Sequence, residues 1–196
     1  EMCIRDSHGT VSIFTDTFNF EITTLRSDIE SDGRRAKVSF TDDWKEDSMR
    51  RDFTINSIYL SPNGDIFDPN NGTLDLTKGS IIFIGDPKER IQEDYLRILR
   101  YFRFNSYYGD ENITLSSQAY EACKDLRVKL KNLSPERIQG EFLKILVAPN
   151  ARKNISAMSK ANILKVIFDN TLDFSYFSRM VDIDSKYQYI PNPILR

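Results

Sequence analysis

The chain has 196 residues, 40% hydrophobic and 12% aromatic, which is enough to build a core in one large domain or two small ones. A formal net charge of −2 gives no global reason to bind nucleic acid, so any such function must rest on a local patch of Lys and Arg. No apolar run approaches the roughly 20 residues that span a bilayer, and no signal-peptide pattern opens the chain; Cys3, Cys123 and the single His8 suit neither a disulfide framework nor a zinc cluster. A cytoplasmic protein with no membrane association is expected, and nothing in the pattern specifies an oligomer.

Residues 1–7, EMCIRDS, look like read-through from a cloning or sequencing adapter and are set aside from the fold reading. From His8, HGTVSIF and FNFEITTL read as two strands joined by TDT. In the second, Phe18, Phe20 and Ile22 alternate with polar residues, which predicts a core face and a polar face. A short helix follows in TDDWKEDSMRRDF, with Thr41 as N-cap and Asp42 and Asp43 in its first turn. Asn63-Gly64 predicts a hairpin within NSIYLSPNGDIFDP. NNGTLDLTKGS reads as a turn-rich loop, and IIFIG as a short buried strand.

Beyond Gly85 the period becomes helical. Asp86 caps, Pro87 takes the first helical position, and one helix is expected through residue 104. Shorter helices are expected at 116–126, 151–158 and 161–168. Ser134-Pro135 opens another, with the stripe Ile138, Phe142, Ile145 and Leu146 and a stop at Pro149; the last thirty residues are weakly patterned. The expected class is α+β, with a β-rich part over 8–85 and an all-α part over 86–196.

The helix over 85–104 carries unusual charge. Ile91, Tyr95, Ile98, Leu99 and Phe102 form a core stripe, while Asp94, Arg97, Arg100 and Arg103 share the other half with Leu96, Tyr101 and Phe104. One reading is an amphipathic helix whose arginines pair with neighbouring acids. The other is the wall of a cleft in which Asp94 accepts, and Arg97 donates, hydrogen bonds to a nucleobase. Cytosine and adenine present an amino donor beside a ring-nitrogen acceptor and match such a pair; uracil and guanine present the reverse. A second basic run comprises Lys124, Arg127, Lys129 and Lys131, with Arg137 and Lys144 following. It reads as a solvated helix face or as an RNA-binding patch.

The stretches EITTLRSD, DGRRAKVSF, EDSMRRDFTINS, DIFDPNNGTLDL, IGDPKERIQEDYLRILRYFRF and SPERIQGEFLKIL occur in the order and spacing of the class II CCA-adding tRNA nucleotidyltransferases, whose close relatives are the bacterial poly(A) polymerases. The chain resembles this family from His8 to about Phe168. The resemblance implies the later part of a polymerase-β-like head sheet (8–85), followed by a helical neck and body (86–196) that binds nucleotide and RNA. It assigns Arg50, Arg51, Asp52 and Asn56 to the incoming nucleotide, and Glu93, Asp94 and Arg97 to the template that reads the base of CTP or ATP. Arg100 and Arg103 fall on further nucleotide contacts, while Lys124, Arg127, Lys129, Lys131, Arg137 and Lys144 remain the candidate RNA contacts read from the basic run. Glu136 to Ile138 falls on a helix supporting the neck, and Glu21 on a candidate third carboxylate of the catalytic sheet.

Departures from the family pattern accompany the matches. The paired aspartates that hold Mg²⁺ have no counterpart and are expected upstream of His8, so no metal ligand is assigned within the chain. The C-terminal tail is also expected to be cut short. Ile82 stands where arginine is common, and Ser57 where alanine is usual. The expected activity of the parent is transfer of nucleotides from CTP and ATP to the tRNA 3′ end. The alternatives are a poly(A) polymerase and a non-catalytic fragment that only binds nucleotide or RNA.

Overall fold

The computed structural model describes residues 2–5, 10–31, 36–110, 117–169 and 174–196. His8, residues 32–35 of the DGRRAKVSF stretch, and the helix start expected at 116 lie outside them. The chain divides into two compact units, Glu1–Arg51 and Asp52–Arg196.

In the first unit, strands β1 (Met2–Arg5), β2 (Thr10–Phe14) and β3 (Asn19–Thr23) form an antiparallel sheet in that order. The segment set aside as adapter-like thus contributes a strand. Val11 faces Ile22 and Ile13 faces Phe20 across the β2–β3 pair, so the alternation read from sequence does gather apolar side chains on one face. That face is not core: Phe18, Phe20 and Ile22 are 66%, 52% and 58% exposed, because no described element packs over them. Strands β4 (Arg26–Ser31) and β5 (Ala36–Phe40) form a second antiparallel pair, with a bulge between Asp28 and Glu30. Helix α1 (Trp44–Met49) closes the unit. Its N-cap is Asp43 and not Thr41: Asp43 Oδ1 accepts the Lys45 N–H at 2.8 Å, while Thr41 Oγ1 accepts the Asp43 N–H one step earlier.

The second unit begins with a one-turn 3₁₀ segment, Thr54–Ser57, and a hairpin of β6 (Tyr59–Leu60) and β7 (Ile66–Phe67). Its turn holds Gly64 at φ +91°, which only glycine adopts without strain. The stretch read as a loop contains helix α2 (Gly72–Thr77), because both oxygens of Asp68 accept N–H groups at its start, from Gly72 and Thr73. IIFIG forms no strand: Phe83 makes a single bridge to Phe53, with Ile81, Phe83 and Ile84 buried and Ile82 exposed.

The helices follow as α3 (Pro87–Glu93), α4 (Arg97–Tyr108), α5 (Gln118–Leu126), a 3₁₀ segment (Arg127–Asn132), α6 (Pro135–Val147), α7 (Ala151–Lys160), α8 (Ile163–Phe168) and α9 (Ser175–Tyr187). The last was not apparent from the pattern. One core runs through this unit and includes Phe53, Phe83, Ile91, Ile98, Leu99, Phe102, Ile145, Ile155 and Met158. Residues 52–84 therefore pack with the helices, although the change from strand to helix periodicity comes near 85. Cys123 is fully buried, and burial pushes its thiol well above the ordinary range, which leaves it an inert core group.

Candidate functional site

The expected single helix over 85–104 is two helices. Asp86 starts α3 as foreseen, its carboxylate accepting the N–H groups of Lys88 and Glu89. At Asp94 the backbone turns extended, at φ −153° and ψ 111°. Its Oδ1 then accepts the Leu96 N–H at 3.1 Å, and its carbonyl accepts the Arg97 N–H at 3.0 Å, so Asp94 both ends α3 and starts α4. Asp94 and Arg97 are consequently not neighbours on one helix face. They sit on either side of a break.

Each is fixed by a different partner. Asp94 Oδ2 accepts from Arg137 of α6 at 2.7 Å, and the two side chains are 24% and 33% exposed. Arg97 pairs with Glu93 and donates to the Arg90 carbonyl at 2.7 Å, while Glu93 also takes both bonds of Arg90 Nη1, each at 2.7 Å. Further along α4, Arg100 Nε donates to Asp52 Oδ2 at 2.5 Å and Arg103 Nη1 to Glu141 Oε1 at 2.8 Å. The guanidinium carbons of Arg100 and Arg103 stand 5.4 and 4.5 Å from the centre of the Phe104 ring, within cation–π range. The α4 arginines thus do pair with acids, as the amphipathic reading holds, but those acids come from α3, α6 and the start of the unit.

Asp52 is the hub of one end of this network. Its Oδ1 accepts from Asn56 Nδ2 at 2.8 Å and from the Phe53 N–H at 3.1 Å. Burial alone would raise its carboxyl, but the hydrogen bond and charge of Arg100, with help from Asn56, outweigh that and hold it below the usual carboxylate range. The same pairing lifts Arg100 above the ordinary guanidinium value against its own burial. Glu141 anchors the other end: it is nearly buried, and its Oε2 has no hydrogen-bond partner among the described residues. An uncompensated buried acceptor of this kind is costly.

In the first unit, Arg50 and Arg51 follow α1, and both pair with Asp47, which is fully buried. Sequence reasoning singled out neither Asp47, Glu141 nor Arg90. For Asp47 a signal existed, since its spacing to the two arginines is i, i+3 and i, i+4; for Glu141 the spacing reveals only Lys144 at i, i+3, because Arg103 lies 38 residues away.

Sequence and shape comparisons bear on what this network serves. Residues 2–82 match the family model described as the poly A polymerase head domain, and residues 112–174 match one described as a probable RNA and SrmB-binding site of polymerase A. The human mitochondrial CCA tRNA nucleotidyltransferase 1 is 48% identical over 142 residues, 72% of this chain and 33% of that protein. The CCA-adding enzyme of Staphylococcus haemolyticus is 36% identical over 193 residues, 97% of this chain and 45% of its own. The chain belongs to the poly(A) polymerase/tRNA nucleotidyltransferase family.

The chain thus spans between a third and a half of the length of these curated relatives. Among solved structures, the Bacillus stearothermophilus CCA-adding enzyme in complex with CTP superposes with a TM-score of 0.68 at 28% identity, over 80% of this chain and 37% of that one. A CCA-adding enzyme in its apo form II reaches 0.73 over 96% and 45% at 23% identity, which speaks for the shared α+β fold.

The six basic residues expected to meet RNA all fall within the second matched region, and they separate into two groups. Arg137 and Lys144 lie on α6 and join the network, Lys144 through Glu141 at 3.5 Å. Lys124, Arg127, Lys129 and Lys131 lie on α5 and the 3₁₀ segment after it. Lys124 pairs with Glu121 at 3.2 Å and Lys131 with Asp169 at 2.6 Å, both half exposed, and Lys129 is exposed. Glu21 stands exposed in β3 opposite Ser12. Among the described residues no group of three or more His, Cys, Asp or Glu could hold a metal ion. The buried carboxylates Asp47 and Asp52 are both taken up by guanidinium groups, so the residues present do not fit a divalent cation. No described helix is long and apolar enough to cross a membrane.

Proposed function

We propose that this chain is the base-reading and RNA-holding part of a tRNA nucleotidyltransferase that completes tRNA 3′ ends with CCA, taking CTP twice and ATP once as substrates. The observation that carries the reading is that Asp94 and Arg97 are held by separate partners, Arg137 and Glu93, and not by each other. An acceptor and a donor fixed independently keep their positions when a base arrives, which is the preorganisation a template made of side chains requires. Cytosine and adenine satisfy both groups, whereas uracil and guanine leave polar groups unpaired, at about 1–3 kcal/mol for each mismatched contact.

In the reaction, the tRNA 3′-hydroxyl oxygen forms a bond to the α-phosphorus in line with the departing oxygen; the bridge to the β-phosphate breaks and pyrophosphate leaves. Such chemistry uses a divalent cation, here taken as Mg²⁺, for which the described residues offer no site. Asn56 and Arg100 hold the Asp52 carboxylate for the nucleotide, and Arg103 supplies positive charge beyond it. Lys124, Arg127, Lys129 and Lys131 offer a basic surface for the tRNA backbone. The cytoplasm is the compartment this reading implies; the human relative is named as mitochondrial.

The matched family models favour one second reading, a poly(A) polymerase. The two separate on a tRNA already ending in CCA, which a poly(A) polymerase extends with many adenylates and a CCA-adding enzyme leaves alone. The central test is substitution in the whole protein. Arg97→Ala should raise incorporation of UTP and GTP, relative to CTP and ATP, into tRNA lacking its end by at least about tenfold. If UTP and GTP remain as poor as before, Arg97 does not read the base. Incubating the 196-residue chain itself with that tRNA, CTP, ATP and Mg²⁺ distinguishes an active enzyme from a part that only binds.

A further inference from the structure

We propose that Asp47 is a positioning residue that sets the guanidinium of Arg51 for contact with the incoming nucleotide, an inference that rests on the reading of Arg51 as a nucleotide ligand. The Asp47 carboxylate is completely buried, and five donors converge on it. Oδ1 accepts from the Arg26 N–H at 3.1 Å and from Arg50 Nε and Nη2 at 2.9 and 2.6 Å. Oδ2 accepts from Arg51 Nε and Nη2 at 3.2 and 2.9 Å. Arg50 is doubly held, since its Nε also donates to the Arg26 carbonyl at 2.9 Å.

This is a different object from a surface ion pair between helix neighbours, which is worth a few tenths of a kcal/mol and leaves both side chains mobile. Both Arg51 bonds come from one edge of a planar fork onto one oxygen, so the plane of the group is fixed. The Arg51 side chain is 36% exposed, whereas Arg50 is 13% exposed. Arg50 therefore serves as the inner tie between α1 and β4, and Arg51 is the more exposed of the two.

The test is a double-mutant cycle on CTP affinity, measured by calorimetry on the full chain with Asp47→Asn, Arg51→Met and both together, each checked for folding by urea titration. Each single substitution is expected to weaken CTP binding about tenfold, and the pair no more than Arg51→Met alone, because Asp47 acts only through that arginine. A purely structural role for Asp47 lowers the urea midpoint without this loss of coupling. An unchanged affinity in Asp47→Asn, or a pair weakened by about a hundredfold, overturns the proposal while leaving Arg51 as a ligand. An unchanged affinity in Arg51→Met, or no CTP binding by the unsubstituted chain, overturns the Arg51 reading and the proposal with it. If Asp47→Asn does not fold, Asp47→Glu runs the same cycle, keeping the charge and moving it by one methylene.

Discussion

The two units of the chain use their aromatic residues in opposite ways. In Asp52–Arg196, Phe53 and Phe102 are wholly buried, with Phe53 against Phe83 at 4.6 Å and Phe102 edge-on to Tyr101 at 5.3 Å. In Glu1–Arg51, Phe18 and Phe20 lie 6.1 Å apart on the open face of a sheet. Both units gather aromatic and aliphatic side chains on one face, yet among the described residues only the second presses its rings into a core. Periodicity specifies which side chains share a face; it does not specify the partner that covers it.

Substitutions can break or sharpen that contrast. The largest expected effect is Phe102→Ala, which should cost about 3–5 kcal/mol in urea unfolding by opening a cavity in a continuous core. Phe20→Ala should change stability by less than about 0.5 kcal/mol, and equal losses from the two would erase the distinction.

Next comes Asp52→Asn, expected to cost about 2–3 kcal/mol at neutral pH because it leaves Arg100 facing a neutral amide. The sign with pH follows from the lowered carboxyl: the stabilisation is complete above the unfolded value of about 4 and is lost as pH falls through the lower folded one. The unsubstituted chain should therefore lose stability on acidification below about pH 4 more steeply than Asp52→Asn. Parallel acid limbs would show that the Asp52–Arg100 pair contributes nothing.

The smallest of the series within the helical unit is Gly72→Ala, at about 1–3 kcal/mol. A Cβ there would stand 2.2 Å from the Thr54 carbonyl oxygen, so the 3₁₀ segment or α2 must shift. An unchanged urea midpoint would mean that this contact yields freely.

Much of this was readable in the sequence where the signal was local. Asp86-Pro87 marked a helix start and Asn63-Gly64 a hairpin, since capping and turn geometry depend on residues within one turn. The break at Asp94 was not readable. Glu93, Asp94 and Tyr95 tolerate a helix, and what commits Asp94 elsewhere includes Arg137, 43 residues away. Helix α2 was hidden for a similar reason: Asn70, Asn71 and Gly72 signal a turn, and the Asp68 carboxylate turns that signal into a cap. The motif residues Asp52, Glu93, Asp94 and Arg97 were found by family resemblance; Asp47 was marked only by its spacing to two arginines, and the pairing of Glu141 with Arg103 needed coordinates.

The elbow at Asp94 couples the course of the backbone to a contact between helices. One oxygen of that carboxylate begins a helix and the other grips Arg137. A mutation to glutamate preserves charge but lengthens the arm, and so disturbs the chain's course and the acceptor's aim in a single stroke. Any change at this position therefore acts on the path of the chain between α3 and α4 and on the tie to α6 at the same time.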